Sequence, residues 1–143
     1  MKALLRPARL GDTRALAELL RQLDYPDTEA FLADRLRTLA AHPDAQVQVA
    51  EVDGRVLGVI ALHFLPQLAV AGDFCRIAYL CVAEGARGLG VGAQLEQFAL
   101  DQARRRGCDR IELHSSSHRV AAHRFYARQG YRESPKYLVK SAG

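Results

Sequence analysis

Between an apolar run at residues 74–82 and a helical pattern that begins at Val91, residues 87–95 read Arg-Gly-Leu-Gly-Val-Gly-Ala-Gln-Leu, with Gly88, Gly90 and Gly92 on alternate positions. Glycine is unfavourable in a helical turn, so three of them need a reason. Without side chains the backbone can approach a ligand closely. The N–H groups of a first helical turn have no partner inside the helix, and the helix dipole adds positive potential. An anion, best of all a diphosphate, is the natural occupant. Read as Gly88-x-Gly90-x-x-Ala93, the loop matches the dinucleotide fingerprint. That fingerprint, however, starts directly at a strand end in the first βα unit and is followed about 20 residues later by an acid at the tip of the next strand. Here residues 83–87 intervene, the loop lies in the second half of the chain, and the next strand ends at His114-Ser115. The dinucleotide reading is set aside.

Other residues could also do chemistry. The adjacent pair Phe125-Tyr126 either fills core or offers a hydroxyl for acid work. His114 closes an apolar run, where it is either a solvent-facing strand end or a base titrating near neutrality. His63, His118 and His123 have no carboxylate at ligand spacing, so no metal is expected. Arg76, Arg119 and Arg124 have few acids near them in sequence and suit an anionic ligand, whereas Arg104, Arg105 and Arg106 read as a solvated helix end. Cys75, Cys81 and Cys108 are odd in number, lack C-x-x-C spacing and lie in apolar stretches, which makes them buried free thiols.

The elements that must position these residues follow from periodicity. Residues 3–6 are extended. After Pro7 and Gly11, Leu16, Leu19, Leu20 and Leu23 recur at helical spacing, with Asp12 placed to cap. A second helix carries Leu32, Leu36 and Leu39, with Asp27 or Thr28 as cap, and ends at His42-Pro43. Residues 46–52 alternate as a strand, Asp53-Gly54 is a two-residue hairpin signal, and residues 56–65 return as an apolar strand. A loop at 66–73 and a buried strand at 74–82 lead into the glycines. The helix from Val91 ends at Gly107, the next strand covers 110–114, a short helix spans 120–129 and closes at Gly130, and residues 131–139 read as a last strand.

No repeat, linker or low-complexity tract breaks the chain, and 143 residues form one expected domain, 1–143, that needs no staple. Hydrophobic residues at 49%, charged residues at 25% and both charge signs scattered along the chain describe a soluble globular protein. The net charge of +4 favours an anionic ligand mildly, but without a basic tail or an aromatic-interleaved basic stripe it does not point to nucleic acid. The N-terminus has Arg6 and Arg9 and no apolar core of a signal peptide, and no run approaches the ~18 apolar residues of a membrane span. A cytoplasmic protein with no membrane partner is expected.

The order strand, Arg87-x-x-Gly90-x-Gly92-Ala93, helix, strand, then Ala122-His-Arg-Phe125-Tyr126-Ala-Arg-Gln-Gly130-Tyr131 resembles the GNAT N-acetyltransferase superfamily. Residues 77–131 resemble its acetyl-CoA-binding core, and the leading strand, two helices and hairpin resemble its variable N-terminal half. The resemblance implies an α/β GNAT fold, with a mixed, mostly antiparallel twisted sheet flanked by helices. It implies that backbone groups of Leu80, Cys81 and Val82 pair with the pantetheine arm like an added strand. The backbone of Arg87, Gly88, Leu89, Gly90, Val91, Gly92 and Ala93 would cradle the pyrophosphate. Tyr126 would lie near the sulfur, and thioester and amine would meet where the glycine-loop strand and the next one splay apart.

Acetyl transfer from a thioester to an amine needs the amine deprotonated, the carbonyl polarised and the departing thiolate protonated. A phenol, with an ordinary pKa of about 10 against about 8.5 for a thiol, can protonate the thiolate, which is the usual role of the tyrosine at the position of Tyr126. A backbone N–H near Cys81 or Val82 would polarise the carbonyl. Tyr79 stands where many relatives carry a glutamate base and cannot accept a proton at neutral pH. The base is then a water held by Tyr79, Glu84 beyond the strand, or His114. Tyr79 and His114 are the expected contacts of the acceptor. Arg119 stands where relatives often carry a cofactor-contacting asparagine. The pattern His118-Arg-x-x-Ala-His-Arg-Phe-Tyr looks like acetyltransferases of small amines, aminoalkylphosphonate and aminoglycoside types among them, and the arginines favour an anionic acceptor. The competing class is a non-catalytic acyl-CoA-binding or interaction module of the same fold, supported only by the missing glutamate. An exposed strand edge would suit a homodimer.

Overall fold

Strands β1 (Leu4–Pro7), β2 (Ala45–Val52), β3 (Arg55–Leu65), β4 (Phe74–Val82) and β5 (Arg110–Leu113) form one sheet in the order β1-β2-β3-β4-β5. They are seen in a computed structural model that describes residues 2–115, 119–134 and 137–143. Strands β1 to β4 are successive antiparallel neighbours. The hairpin expected at Asp53-Gly54 is present, with φ of 51° and 77° at the two residues, the left-handed pair that a type I′ turn requires. Strand β5 is reached through a helix instead, and its contacts with β4 keep one offset. The Asp109 N–H donates to the Asp73 carbonyl at 2.9 Å, the Arg110 guanidinium lies over the Phe74 ring, and Arg76 bonds Glu112, 36 residues on. A constant difference rather than a constant sum marks a parallel pair, so the sheet is mixed and mostly antiparallel, as expected. The chain divides into two compact units, Met1–Glu112 and Leu113–Gly143. The first holds α1 (Thr13–Gln22), α2 (Leu32–Ala41) and α3 (Val91–Arg105), and the second holds α4 (Val120–Arg128).

Register decides which side chains share a face. Leu62 faces Ile77 but Ala61 faces Tyr79, so Ala78 is an extra residue on β4. This bulge turns the strand over. Cys75 and Ile77 share a face with Phe64 and Leu62, whereas Tyr79 and Cys81 share the other with Ala61 and Val59. Helix α3 covers the first face, where Arg106 stacks on Phe64 at 3.8 Å. Helices α1 and α2 cover part of the second, where Leu16, Leu19, Leu32 and Leu36 pack with Val49, Val59 and Cys81. The Cys81 thiol donates to the Leu19 carbonyl at 3.2 Å. Burying each of these leucines contributes about 1.5–3 kcal/mol.

Gly58 lets α3 approach the sheet. A Cβ there would stand 2.9 Å from Val91 Cγ1 and 3.0 Å from Leu95 Cδ1. Val91 is the first residue of α3, so Gly58→Ala should press the helix start outward and cost about 1–3 kcal/mol. Urea unfolding checks this: the midpoint should fall with the slope unchanged.

Three local expectations are corrected. Asp12 precedes α1 but makes no side-chain cap. Its carboxylate instead accepts Arg6 Nη1 and Nη2 at 2.8 and 2.9 Å and the Arg9 N–H at 2.9 Å. The Arg6 guanidinium thereby holds the Asp12 carboxyl below the usual carboxylate range, a stronger attachment than a neutral amide offers. Helix α2 begins at Leu32, not at Asp27 or Thr28, because Asp27 has a φ of 61° and residues 28–31 form a turn closed by the Phe31 and Leu32 N–H groups on the Thr28 carbonyl. Residues 131–139 form no strand among the described ones, 131–134 and 137–139. The polar run Arg132-Glu133-Ser134 offers no apolar face to bury, and a strand without such a face or a paired neighbour is not stable.

Candidate active site

Past Val82, the Ala83 N–H reaches the Leu57 carbonyl at 2.8 Å, and a single 3-10 turn, Glu84–Ala86, leads into the glycines. Gly88 and Gly90 have φ of 86° and 80°. A Cβ on either would meet nothing within 4 Å, so the left-handed backbone rather than crowding calls for glycine. Gly90 precedes α3 without a side-chain cap, and the first helical bond is donated by Gln94 to the Gly90 carbonyl at 3.1 Å. The amides of Arg87 and Leu89 are taken up by the carbonyls of Glu84 and Ala86. Among the described residues, those of Gly88, Gly90, Val91, Gly92 and Ala93 have no backbone acceptor outside the helix and suit an anion at the positive end of a 15-residue helix.

Strand β5 has four residues against nine in β4, and its contacts with β4 within the first unit fall at Phe74 and Arg76. Leu80, Cys81 and Val82 pair with Ile60, Val59 and Gly58 on one side. Their other edge lies four to six residues past Arg76, beyond those contacts with β5. Tyr79, 37% exposed, points to the face of α1 and α2, where its ring meets Tyr25 edge-on at 5.3 Å. Tyr25 is held by the turn that ends α1: Asp24 takes a φ of 71°, and the Tyr25 N–H reaches the Leu20 carbonyl at 2.8 Å. Further along the same face lie His63 and, opposite it, Arg76. Arg76 Nε donates to Glu112 Oε1 at 2.8 Å, so the cation expected to serve an anionic ligand is already compensated. Burial chiefly, then His42 and Arg76, lowers the pKa of His63.

The second unit carries Tyr126, half-buried in α4, with its ring edge-on to Phe125 at 5.3 Å and to Tyr131 at 5.7 Å. Gly130, at a φ of 93°, closes α4 as expected. His114, exposed just past β5, stacks on Tyr137 at 4.1 Å. Arg119 precedes α4, Arg124 and His123 are exposed on it, and His118 lies outside the described residues. Tyr79, the edge at Leu80–Val82 and the loop at 87–93 thus follow one another along one segment of the first unit, and Tyr126 and His114 belong to the second.

Residues 13–131, which include the glycine loop and the strand before it, match the Acetyltransferase (GNAT) family. The chain belongs to that family. It is 36% identical over 142 residues, 96% of this chain and 90% of the other, to an aminoalkylphosphonate N-acetyltransferase of Salmonella typhimurium. Among solved structures, a transcriptional regulator from Bacillus halodurans superposes with a TM-score of 0.88 over 97% of this chain and 99% of that one at 24% identity. A glucosamine-6-phosphate N-acetyltransferase from Arabidopsis thaliana superposes with a TM-score of 0.86 over 100% of both chains at 21% identity. These two show the fold. This GNAT chain is therefore an N-acetyltransferase. Among the described residues, no helix is long and apolar enough to cross a membrane and no group of His, Cys, Asp and Glu could hold a metal ion. Cys75 and Cys108 are free, Cys75 and Cys81 are buried, and burial pushes the Cys75 thiol up to about 12, away from the reactive thiolate.

Sequence reading missed the Ala78 bulge, Tyr25 and the Arg76–Glu112 pair. The bulge leaves no glycine or proline as a mark. Cys75, Ile77, Tyr79 and Cys81 look like one face of a regular strand, and only their partners on β3 show that they are two.

Proposed function

We propose that this GNAT protein transfers the acetyl group of acetyl-CoA to the primary amine of a small molecule by direct attack, in the cytoplasm, where free thiols persist. The observation that carries this reading is the set of amides at Gly88, Gly90, Val91, Gly92 and Ala93 with no backbone acceptor outside the helix among the described residues, directly after a strand whose edge at Leu80–Val82 lies beyond its contacts with β5 at Phe74 and Arg76. A diphosphate suits the first. An extended arm with amide groups suits the second, in the manner of an added strand. In this reading a backbone N–H near Cys81 or Val82 polarises the thioester carbonyl, and Tyr126 gives its proton to the departing thiolate. The support for Tyr126 is its place in the Ala-x-x-Phe-Tyr-x-x-x-Gly-Tyr segment. The likeness to an aminoalkylphosphonate N-acetyltransferase makes compact amines with an anionic end the first acceptors to try.

The purified protein, given acetyl-CoA and a panel of amines led by aminoalkylphosphonates and including aminoglycosides, should release free thiol only when an acceptor amine is present. CoA binding without release for any amine would favour the non-catalytic module.

A further inference from the structure

With the thioester at the β4 edge, one task in this reading has no group assigned to it: something must take the proton of the acceptor's ammonium. Helix α3 closes the first face of the sheet, where Leu62, Phe64 and Leu95 are fully buried. The amine therefore reaches the β4 edge from the second face, where Tyr79 is exposed. A phenol such as Tyr79 accepts no proton at neutral pH. Glu84 stands on the turn beyond Val82, about 16 Å along the strand direction from Tyr79 at about 3.3 Å per residue. The ring of His114 is stacked on Tyr137. His63 meets the requirement. It is on the second face, across from Arg76, and its strand neighbour on that face, Ala61, is across from Tyr79. His63 and Tyr79 are thus diagonal neighbours, roughly 7–8 Å apart, a gap that an amine or one water spans.

We infer that His63 is the proton acceptor for the amine, on a polar floor completed by the Arg76–Glu112 ion pair. The inference rests on the acetyl-transfer reading. One proton passes from R–NH3+ to the free imidazole nitrogen. The nitrogen lone pair so released forms the C–N bond, the C–S bond breaks with its electrons on sulfur, the thiolate takes a proton from its own donor, and the second ammonium proton, shed by the nitrogen as the amide forms, passes through solvent to restore that donor. His63 then returns its proton to solvent. The groups around the imidazole favour this use. Ala45 faces it from β2 and Arg76 from β4, with Glu112 of β5 bound to Arg76, and His42 acts on it from the turn after α2. Burial chiefly, then His42 and Arg76, lower its pKa and so favour the neutral form that can accept a proton. Glu112, by fixing Arg76, positions that charge without touching the amine.

The test is the pH dependence of kcat/KM for the amine. The wild-type profile should have an acid limb with its midpoint below the ordinary histidine value of 6.5. His63→Gln should abolish that limb and lower kcat/KM at neutral pH at least tenfold, with CoA affinity unchanged. Imidazole in the buffer should restore part of the activity of His63→Ala. Arg76→Gln, which keeps the histidine, should move the limb to higher pH because a neighbouring cation is removed, and His114→Gln should leave it in place. A folded His63→Gln that keeps the limb overturns the inference, as does loss of the limb in His114→Gln. Should His63→Gln not fold, a limb that stays still in Arg76→Gln overturns it. A wild type that consumes acetyl-CoA with no amine overturns the acetyl-transfer reading and this inference together, whereas the other outcomes leave that reading standing.

Discussion

Tyr126→Phe should lower kcat by 10- to 1000-fold while leaving CoA affinity and the melting temperature nearly unchanged. The substitution removes one oxygen. The ring keeps its edge-on contacts with Phe125 at 5.3 Å and Tyr131 at 5.7 Å, so a tyrosine present only to pack against these rings would tolerate the change. A tyrosine that donates to the leaving sulfur would not, because that bond strengthens only as charge develops in the transition state, and its loss corresponds to about 1.4–4 kcal/mol. Steady-state kinetics with a true acceptor, beside a thermal melt and a CoA titration, separates the two. An unchanged kcat, or a fall that merely tracks unfolding, would remove Tyr126 from the mechanism. The proton would then reach sulfur through water or another donor such as Tyr79.

How much of this was legible in the sequence depended on whether the information was local. The Asp53-Gly54 turn, the glycine that closes α3 at Gly107 and the one that closes α4 at Gly130 all have positive φ, and each was readable because a single residue carries the requirement. The glycine loop was readable for the same reason. Asp12 was misread because its partner, Arg6, lies on a strand that only folding brings within 2.8 Å, and a charged partner outcompetes the helix amides. The acceptor side was the least legible part. Its shape comes from one unmarked extra residue, Ala78, which sends Tyr79 to the face opposite Ile77. His63 and Arg76 become neighbours only through strand pairing, and Arg76 loses its availability to a glutamate 36 positions away. Periodicity shows that residues 74–82 form a strand. It does not show that the strand changes sides halfway along.

Gly90→Asp should weaken CoA binding at least tenfold without unfolding the protein. Space is no obstacle, since a Cβ at Gly90 would meet nothing within 4 Å. The φ of 80° at Gly90 strains any residue with a side chain, but aspartate tolerates the left-handed region better than most. The position immediately precedes α3, where an aspartate carboxylate can accept the amides of the second and third helical residues, here Gly92 and Ala93. The helix would therefore keep its start. The same carboxylate would occupy donors that a diphosphate needs and place a negative charge beside it, so affinity should fall by at least about 1.4 kcal/mol. Gly90→Ala separates the causes, because it adds the strain without the charge or the cap and should lose less. Added salt should recover the part due to repulsion but not the part due to the occupied amides. Calorimetric titration of CoA into the folded variants reads all of this directly, and an affinity for Gly90→Asp equal to that of the wild type would mean that the diphosphate is bound elsewhere.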